Sequence, residues 1–493
     1  MNRALRLALI LTAAALTYAP APARAEVRAM SLERVIEVAQ TQSRSAAQAR
    51  NRYRASLWQY RTQRAAFLPT LSLQGTAPDL TRSISKLSLP DGSEAFIRQS
   101  FASSGARLAI GKTVGTTGGE VFLESSLERL DLLDGGTSTT YLSQPINVGL
   151  RQPLFAFNPY RWQGRIEPLR LEEARRDYAE ELESIAISAA QAFFDLLAAE
   201  DQLATARSNV ASTDTLLAAT KARRESGASS EDELLQSQLA SLNARLELQR
   251  AELEVRARSY GLRSYLGLRD SEDVRPEIAF EVPEVHADVA VALDQARANR
   301  SAAVGDDRRT LEAQRDVAEA RASPGRSVDL FANFGLSQST DDLGSIYHHG
   351  QEQEHASIGF QVPILDWGRS RARLRLAESN SEVTLLSVEQ TRLEREQDVI
   401  RKVLEFNVQS ERIRIAATAD EIAARRYAAA ERHYLSGAGD AAALNVALFE
   451  KDSARRAHVE ALRGYWIAYY ELRRSTRFDF RTAQLIPFAD PGE

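Results

Sequence analysis

Three of the six histidines, His348, His349 and His355, fall in one acidic stretch, and histidine beside carboxylates is raw material for a metal site. Nothing in their spacing fixes a coordination geometry, so the stretch reads as a solvated loop and no metal is expected there. Ile110-Gly111-Lys112-Thr113 carries the Gly-Lys-Thr end of a phosphate loop. Such a loop needs a glycine five residues before its second glycine; Ala106 stands there, and Gly105 misses by one. The residues after Thr113 are Gly-rich and strand-like, whereas a phosphate loop opens a helix. The chain has no G-x-S-x-G and no H-E-x-x-H. It has no Cys, which excludes disulfides, thiolate metal sites and cysteine nucleophiles. These residues therefore point away from an enzyme, and no cofactor is expected.

Function must then be carried by shape, and the shape is written twice. Gln152-Pro153-Leu154-Phe155 returns as Val362-Pro363-Ile364-Leu365, an offset of 210 (363 less 153). Ser226-Gly227-Ala228 returns as Ser436-Gly437-Ala438, and Tyr260 and Leu262 fall on Tyr470 and Leu472, all at that same offset. An offset held without a gap over this span predicts two copies of one unit. A solenoid is not expected, because it needs several stacked repeats to bury a core. The boundaries expected are 1–25 for a signal peptide, 26–275 and 276–474 for the two repeats, and 475–493 for a tail.

Arg3 and Arg6, the apolar stretch Leu7–Leu16 and the small-x-small triplet Ala23-Arg24-Ala25 read as a secretory signal cleaved before Glu26. The competing reading is an uncleaved anchor, but the apolar stretch is shorter than the ~20 residues a spanning helix needs. No other apolar run reads as a spanning helix. The formal net charge of −5 gives no basic face for a nucleic acid.

Each repeat reads as helix, strand, very long helix, Gly turn and return helix. The first helix is expected over Ser31–Ala66, with Pro69 at its junction with a strand. Leu71 and Leu73 then alternate with polar residues. The Gly-, Ser- and Thr-rich stretch 76–144 holds a hairpin near Gly118-Gly119 and the alternating segment Val121, Leu123, Ser125, Leu127. Ile146, Val148 and Leu150 form another strand that ends near Pro153. From about Tyr160 to Glu225 the pattern is helical, some 65 residues or on the order of 100 Å. Gly227 ends it. Ser229 or Ser230 can cap the return helix, with Asp232 and Glu233 favourably placed in its first turn. That helix carries two apolar stripes, one of them Leu235, Leu239, Leu242, Leu246 and Leu253, so it has neighbours on two sides.

In the second repeat a helix over Ala287–Ala322 leads to Pro324, the counterpart of Pro69. Val328, Leu330, Ala332, Phe334 and Leu336 then form one face of a clear strand. A polar loop over 339–357 comes next, then a strand from Ser357 to Ile364 around Pro363, a helix over Arg371–Tyr434, the Gly437 turn and a last helix to about Arg474.

Strands with one apolar and one polar face suit a membrane barrel, with lipid outside and water inside. A soluble sheet with one buried face is the alternative. The export signal and the long helices favour the barrel. Two repeats supply about four strands, or more if the 105–129 hairpin joins. Four cannot close a barrel, and open edges in lipid leave backbone groups unpaired, so copies must share one.

The chain resembles the TolC-like outer-membrane efflux proteins over nearly its whole length. Ala65-Ala66-Phe67-Leu68-Pro69-Thr70-Leu71-Ser72-Leu73 is similar to that family's helix-to-strand junction. Gln152-Pro153-Leu154-Phe155 and Val362-Pro363-Ile364-Leu365-Asp366-Trp367-Gly368 resemble its strand-to-helix junctions. Tyr434-Leu435-Ser436-Gly437-Ala438-Gly439 resembles the Tyr-x-x-Gly turn at its periplasmic tip, and Glu233-Leu234-Leu235-Gln236 the start of its return helix.

The resemblance implies a mainly α fold with a smaller β part: long helical hairpins below strands given to a shared transmembrane barrel, twelve-stranded in a trimer. It implies an outer-membrane exit duct that is passive, contacts lipid, reaches through the periplasm, and docks through its tips on a periplasmic adaptor and an inner-membrane pump. The tip residues are then Gly227, Ser229, Glu231, Asp232 and Glu233 in the first repeat and Gly437, Gly439 and Asp440 in the second. Some members narrow the closed pore with an Asp-Val-Leu-Asp stretch; here Ala443-Leu444-Asn445-Val446 stands at those positions. Asp440 is a substitute gate residue or a helix cap. A periplasmic adaptor, which has one hairpin rather than two, and a coiled-coil scaffold without a pore are the alternatives.

Overall fold

The computed structural model describes residues 26–88, 93–133, 138–227, 229–269, 272–277, 282–322, 326–348, 350–436 and 441–487. Residues 1–25, expected to be a signal peptide, Pro324, His349 and the stretch Gly437–Asp440 lie outside the described residues.

The first part of the chain runs β1 (Glu26–Ser31), α1 (Leu32–Gln42), α2 (Arg44–Ala65), β2 (Thr70–Ser88), β3 (Glu94–Val114), β4 (Gly119–Leu132) and β5 (Ser138–Leu154). Then come α3 (Pro159–Glu225), α4 (Glu231–Leu266), β6 (Glu272–Glu277), α5 (Val289–Asn299) and α6 (Ser301–Ala322). The rest is β7 (Ser327–Thr340), a 3-10 turn, β8 (Gln351–Gln361), α7 (Arg369–Asn407), α8 (Gln409–Leu435), α9 (Ala441–Thr476) and the short pair β9 (Phe478–Asp479) and β10 (Gln484–Leu485).

The 210-residue offset reappears in the helix boundaries. Pro159, Glu225, Glu231 and Leu266 fall on Arg369, Leu435, Ala441 and Thr476. The segments before them obey a longer offset: α1 and α2 begin and end 257 residues before α5 and α6 do (289 less 32, 322 less 65). The 47 extra residues (257 less 210) lie between α2 and α3, where β3 and β4 stand and the second repeat has no counterpart.

Three helices expected to be continuous are interrupted. Ser43 (φ −65°, ψ 154°) separates α1 from α2, and its hydroxyl accepts from the Ala46 N–H at 3.0 Å. Arg300 (φ −71°, ψ 147°) separates α5 from α6 at the position equivalent to Ser43 by the longer offset. At Val408 the break follows from competing side-chain bonds. Asn407 exchanges two 2.9 Å hydrogen bonds with the Ala287 backbone, and the Gln409 amide donates to the Glu405 carbonyl at 3.1 Å. Side chains inserted into the helical ladder are a common cause of kinks. Elsewhere the expected caps form. Ser31 accepts from the Arg34 N–H at 3.3 Å. Ser230, rather than Ser229, is the N-cap of α4, and its hydroxyl accepts from Glu233 N–H at 3.1 Å in a capping box.

Two further strand pairings lie outside the strands expected from the sequence. Residues 272–277, including Pro276, pair in parallel with β1. In the tail, β9 and β10 pair antiparallel.

The chain forms two compact units, each drawing on both repeats. Of the described residues, one holds those within 26–53, 176–300 and 394–487; the other holds those within 54–175 and 301–393. In the first unit α3 is the central element. Ile185, Phe193, Phe194 and Leu196 of α3 are buried, as are Leu262 and Leu266 of α4, Val399, Val403 and Phe406 of α7, and Leu462 and Tyr465 of α9. Each such side chain contributes about 1.5–3 kcal/mol by leaving water. One stretch of α3 is long and apolar enough by composition to cross a bilayer, which the expectation of no further spanning run had missed. More than half of it is buried, so it serves as the core of the helical unit. Charged groups set the register around it. Arg455 of α9 reaches Asp201 at 2.6 Å and Asp420 of α8 at 3.2 Å; Asn209 donates to Asp452 at 2.8 Å; Ser241 of α4 donates to Asp214 at 2.7 Å.

The second unit holds one six-stranded antiparallel sheet of order β2-β3-β4-β5-β7-β8. The expected four strands are therefore six. Residues 76–144 are mostly strand, and β8 begins at Gln351, inside the stretch expected to be loop. Pairing settles what composition left weak, because each strand's backbone bonds are completed by its neighbours.

Candidate functional site

Register gives the sheet two unlike faces. Leu71, Ile110, Leu123, Val148 and Phe334 form one row across β2, β3, β4, β5 and β7. Leu330 opposite Ile358 and Val328 opposite Phe360 carry the apolar face onto β8. The five residues of the row are 38% to 63% exposed, so this chain leaves its apolar face bare. One residue further along, the row Thr70, Gly111, Phe122, Gly149, Asn333 and His355 belongs to the opposite face. There Asn333 donates to Asn147 at 2.9 Å, and Phe331 lies 6.1 Å from Phe122 and 5.8 Å from His355, ring to ring. The Arg151 guanidinium is 6.0 Å from the Phe331 ring. Alternation of this kind belongs to strands with lipid on one side and water on the other. The free edges are β2 and β8.

His355 thus sits in a strand and His348 in a turn, with His349 outside the described residues. Among the described residues no group of three or more His, Cys, Asp and Glu could hold a metal ion.

Three of the four expected prolines can be placed at the strand–helix corners, Pro324 lying outside the described residues. Pro69 lies between α2 and β2, Pro153 still pairs with Asp329 within β5, and Pro363 comes just after β8. The turns into the helices use left-handed backbone at Phe155 (φ 64°), Trp367 (φ 53°) and Gly368 (φ 83°). Phe155 and Trp367 are 87% and 88% exposed, which suits aromatics at a membrane–water boundary. Asp366 caps α7 by accepting from the Gly368 and Ser370 N–H groups, both at 3.0 Å. Bonds from Ser370 and Gly368 hold its carboxyl below the usual carboxylate range. Asn158 does the same for α3, accepting from Tyr160 N–H at 3.0 Å while its amide donates to the Gly115 carbonyl at 2.9 Å.

In the helical unit the α3–α4 turn has Gly227 at φ 76°. Ser229 donates to Glu233, whose carboxylate also accepts from the Ser230 N–H at 3.3 Å. Glu231 and Asp232 are exposed in the first turn, where the helix dipole favours acids. Sequence reading missed the network just inside this turn. The fully buried Thr220 hydroxyl lies 3.2 Å from Ser237 Oγ and 3.0 Å from Tyr434 Oη, joining α3, α4 and α8. Leu444 and Ala447 of α9 pack with Tyr427 and Tyr434 and against Leu216 of α3. Leu444 belongs to the Ala443–Val446 stretch, between the two positions an acidic gate would use, and here it packs two hairpins together.

Replacing Gly227 by Val is expected to strain the left-handed turn by about 1–2 kcal/mol, since a Cβ crowds the following carbonyl there. Open space surrounds the position, so the effect is conformational rather than steric. The check is export of a fluorescent dye from cells producing the variant: export should fall while the amount of membrane-inserted protein holds. Unchanged export would remove the turn from the functional surface.

A sheet with one lipid-compatible face, joined to long helical hairpins, defines the class of envelope channels that combine a membrane β-wall with helices. The sequence matches the outer membrane efflux protein family over residues 35–268 and 290–476, and the chain belongs to that family. The fold is shared with solved channels at low identity. The outer-membrane channel OprN superposes with a TM-score of 0.65 at 18% identity, covering 90% of this chain and 89% of that one. VceC from Vibrio cholerae gives 0.65 at 15%, covering 91% and 96%. The Campylobacter jejuni CmeC channel gives 0.65 at 14%, covering 94% and 87%. No curated protein is matched by sequence. The protein is thus an outer-membrane efflux channel of the kind that serves tripartite systems, sited in the outer membrane and extending into the periplasm. The family is one of channels, not of enzymes.

Proposed function

We propose that three copies of this chain close one barrel and act as a passive exit duct, fed by an inner-membrane pump through a periplasmic adaptor. The observation that carries the reading is the sheet with one bare apolar face and two open edges. In lipid each unpaired edge group costs several kcal/mol, so β8 of one copy pairing with β2 of the next removes the penalty all round the ring. A head-to-tail contact of this kind closes into a cyclic oligomer. The helices agree. Leu235, Leu239, Leu242 and Leu253 of α4 are exposed, as are Ile415 and Ile422 of α8, and a neighbouring copy would cover such stripes. Glu231, Asp232 and Glu233, at the start of α4, offer the adaptor an acidic tip.

Purified protein in detergent should run as a trimer that resists dissociation, and it should form discrete pores in planar bilayers. A monomer that leaves bilayers silent would end the proposal.

A further inference from the structure

The strand count does not match a twelve-stranded barrel. Resting on the three-copy assembly proposed above, we infer that β3 and β4 are membrane strands of the wall, so that the exit barrel has eighteen strands rather than twelve. Barrel diameter grows roughly linearly with strand number, so this mouth is about half again as wide as a twelve-stranded one. Barrels of 16–18 strands leave an open aqueous channel. The wide end then does not select cargo by size, and any size limit lies in the helical part.

Three observations make the hairpin part of the wall. The first is register. Ile110 and Leu123 lie in the same apolar row as Leu71, Val148 and Phe334, and Ala109 and Glu124 in the polar-face row of Ser72, Asn147 and Gly335. The hairpin therefore continues both faces in phase over the part of the sheet next to the helices, up to the irregularities at Thr76–Asp79 on β2 and Glu124–Ser126 on β4. The second is position. β3 pairs with β2 on one side and β4 with β5 on the other. An outlying flap would leave β2 beside β5.

The third is anchoring. The β3–β4 turn, residues 115–118, is built into the strand–helix corner. The Asn158 that caps α3 donates to Gly115 O at 2.9 Å, and Gln152 donates to Thr117 O at 3.1 Å. A Cβ at Gly115 would lie 3.1 Å from the Phe67 ring, which itself packs edge-on against Tyr160 at 5.8 Å. The two added strands are neither preceded nor followed by an α-helix, whereas each of the other four adjoins one, and these contacts supply that support.

The chain has no Cys, so single cysteines can be placed without background. Cysteines at Ala109 and Glu124 should react with a membrane-impermeant maleimide in native outer membranes. Those at Leu108 and Leu123 should react at least about tenfold more slowly, because a thiol facing hydrocarbon neither ionises nor meets the reagent. The same pairs on β5 (Asn147, Val148) and β7 (Asn333, Phe334) report on the channel reading itself. Single-particle images of the trimer should resolve eighteen strands. Alternation on β5 and β7 but not on β3 and β4, or a twelve-stranded ring, overturns the inference and leaves the channel reading standing. Loss of alternation on all four strands overturns both.

Discussion

Arg473→Ala should destabilise the helical unit by ~3–5 kcal/mol, because it strands a buried carboxylate. Glu183 of α3 is 3% exposed, and its Oε1 accepts from Arg473 of α9 at 3.1 Å. The same guanidinium lies 3.8 Å from the Asp479 carboxylate and stacks 5.3 Å from the Tyr470 ring. Burial pushes the Glu183 carboxyl above the usual carboxylate range, although the charge and hydrogen bond of Arg473 pull it down. Removing the arginine removes the pull and keeps the burial. Glu183→Gln should be much milder, since an amide oxygen still accepts the bond and Arg473 keeps the Asp479 carboxylate 3.8 Å away as its counter-charge.

The pH dependence comes from the direction of the shift. A carboxyl raised in the folded state contributes stability that is complete below its unfolded pKa and is lost as pH rises through its folded one. Glu183 therefore favours the folded state on mild acidification from neutral pH, and Glu183→Gln should flatten that limb. Asp479 acts oppositely. Burial raises it, but bonds from Tyr469 and the Arg481 N–H leave it lowered, so its contribution is lost only as pH falls through that depressed value. Thermal melts in detergent across a pH series decide the matter. Arg473→Ala melting with the wild type, or Glu183→Gln keeping the full slope, would refute it.

The second large effect is expected at the tip. Thr220 has one hydroxyl hydrogen, which its 2.9 Å bond to the Leu216 carbonyl uses, so Tyr434 donates to it. Tyr434→Phe removes that tie between α8 and α3 at about 0.5–1.5 kcal/mol. If three copies open together the losses multiply, and ~3 kcal/mol in all corresponds to on the order of a hundredfold in the closed–open equilibrium. Tyr434→Phe should conduct more, or open more often, in planar bilayers, with Thr220→Val in the same direction. The Arg223 guanidinium, 5.7 Å from the Tyr434 ring, is kept in both variants, so a change reports the hydroxyl bond rather than the ring. Conductance equal to the wild type in both would show that this network does not hold the tip closed.

Much of this molecule was legible residue by residue. The Pro153/Pro363 and Gly227/Gly437 pairs exposed the offset that the helix boundaries keep, and Gly118-Gly119 marked the β3–β4 turn, where Gly118 has φ 77°. The alternation of Val328 to Leu336 was plain because Leu and Phe face Asn, Asp and Gly. Much of β3 was not legible. Its apolar-face positions Ala102, Ser104 and Ala106 contrast little with their neighbours, and only pairing with Asp131, Arg129 and Leu127 on β4 shows which face they share. The breaks at Ser43, Arg300 and Val408 were missed because flanking helical periodicity runs through them, while the bonds that stabilise them are made by single side chains.

The sequence by itself determined the long helices, the strands that alternate clearly and the turns between them, because helix periodicity, strand alternation, caps and left-handed glycines are local properties of a few residues each. The tertiary structure alone decided that six strands share one sheet and that Thr220 meets Tyr434, 214 residues away. It also placed Arg473 on Glu183. Such pairings depend on which surfaces meet once the chain has folded back on itself, and no short stretch of residues encodes that meeting.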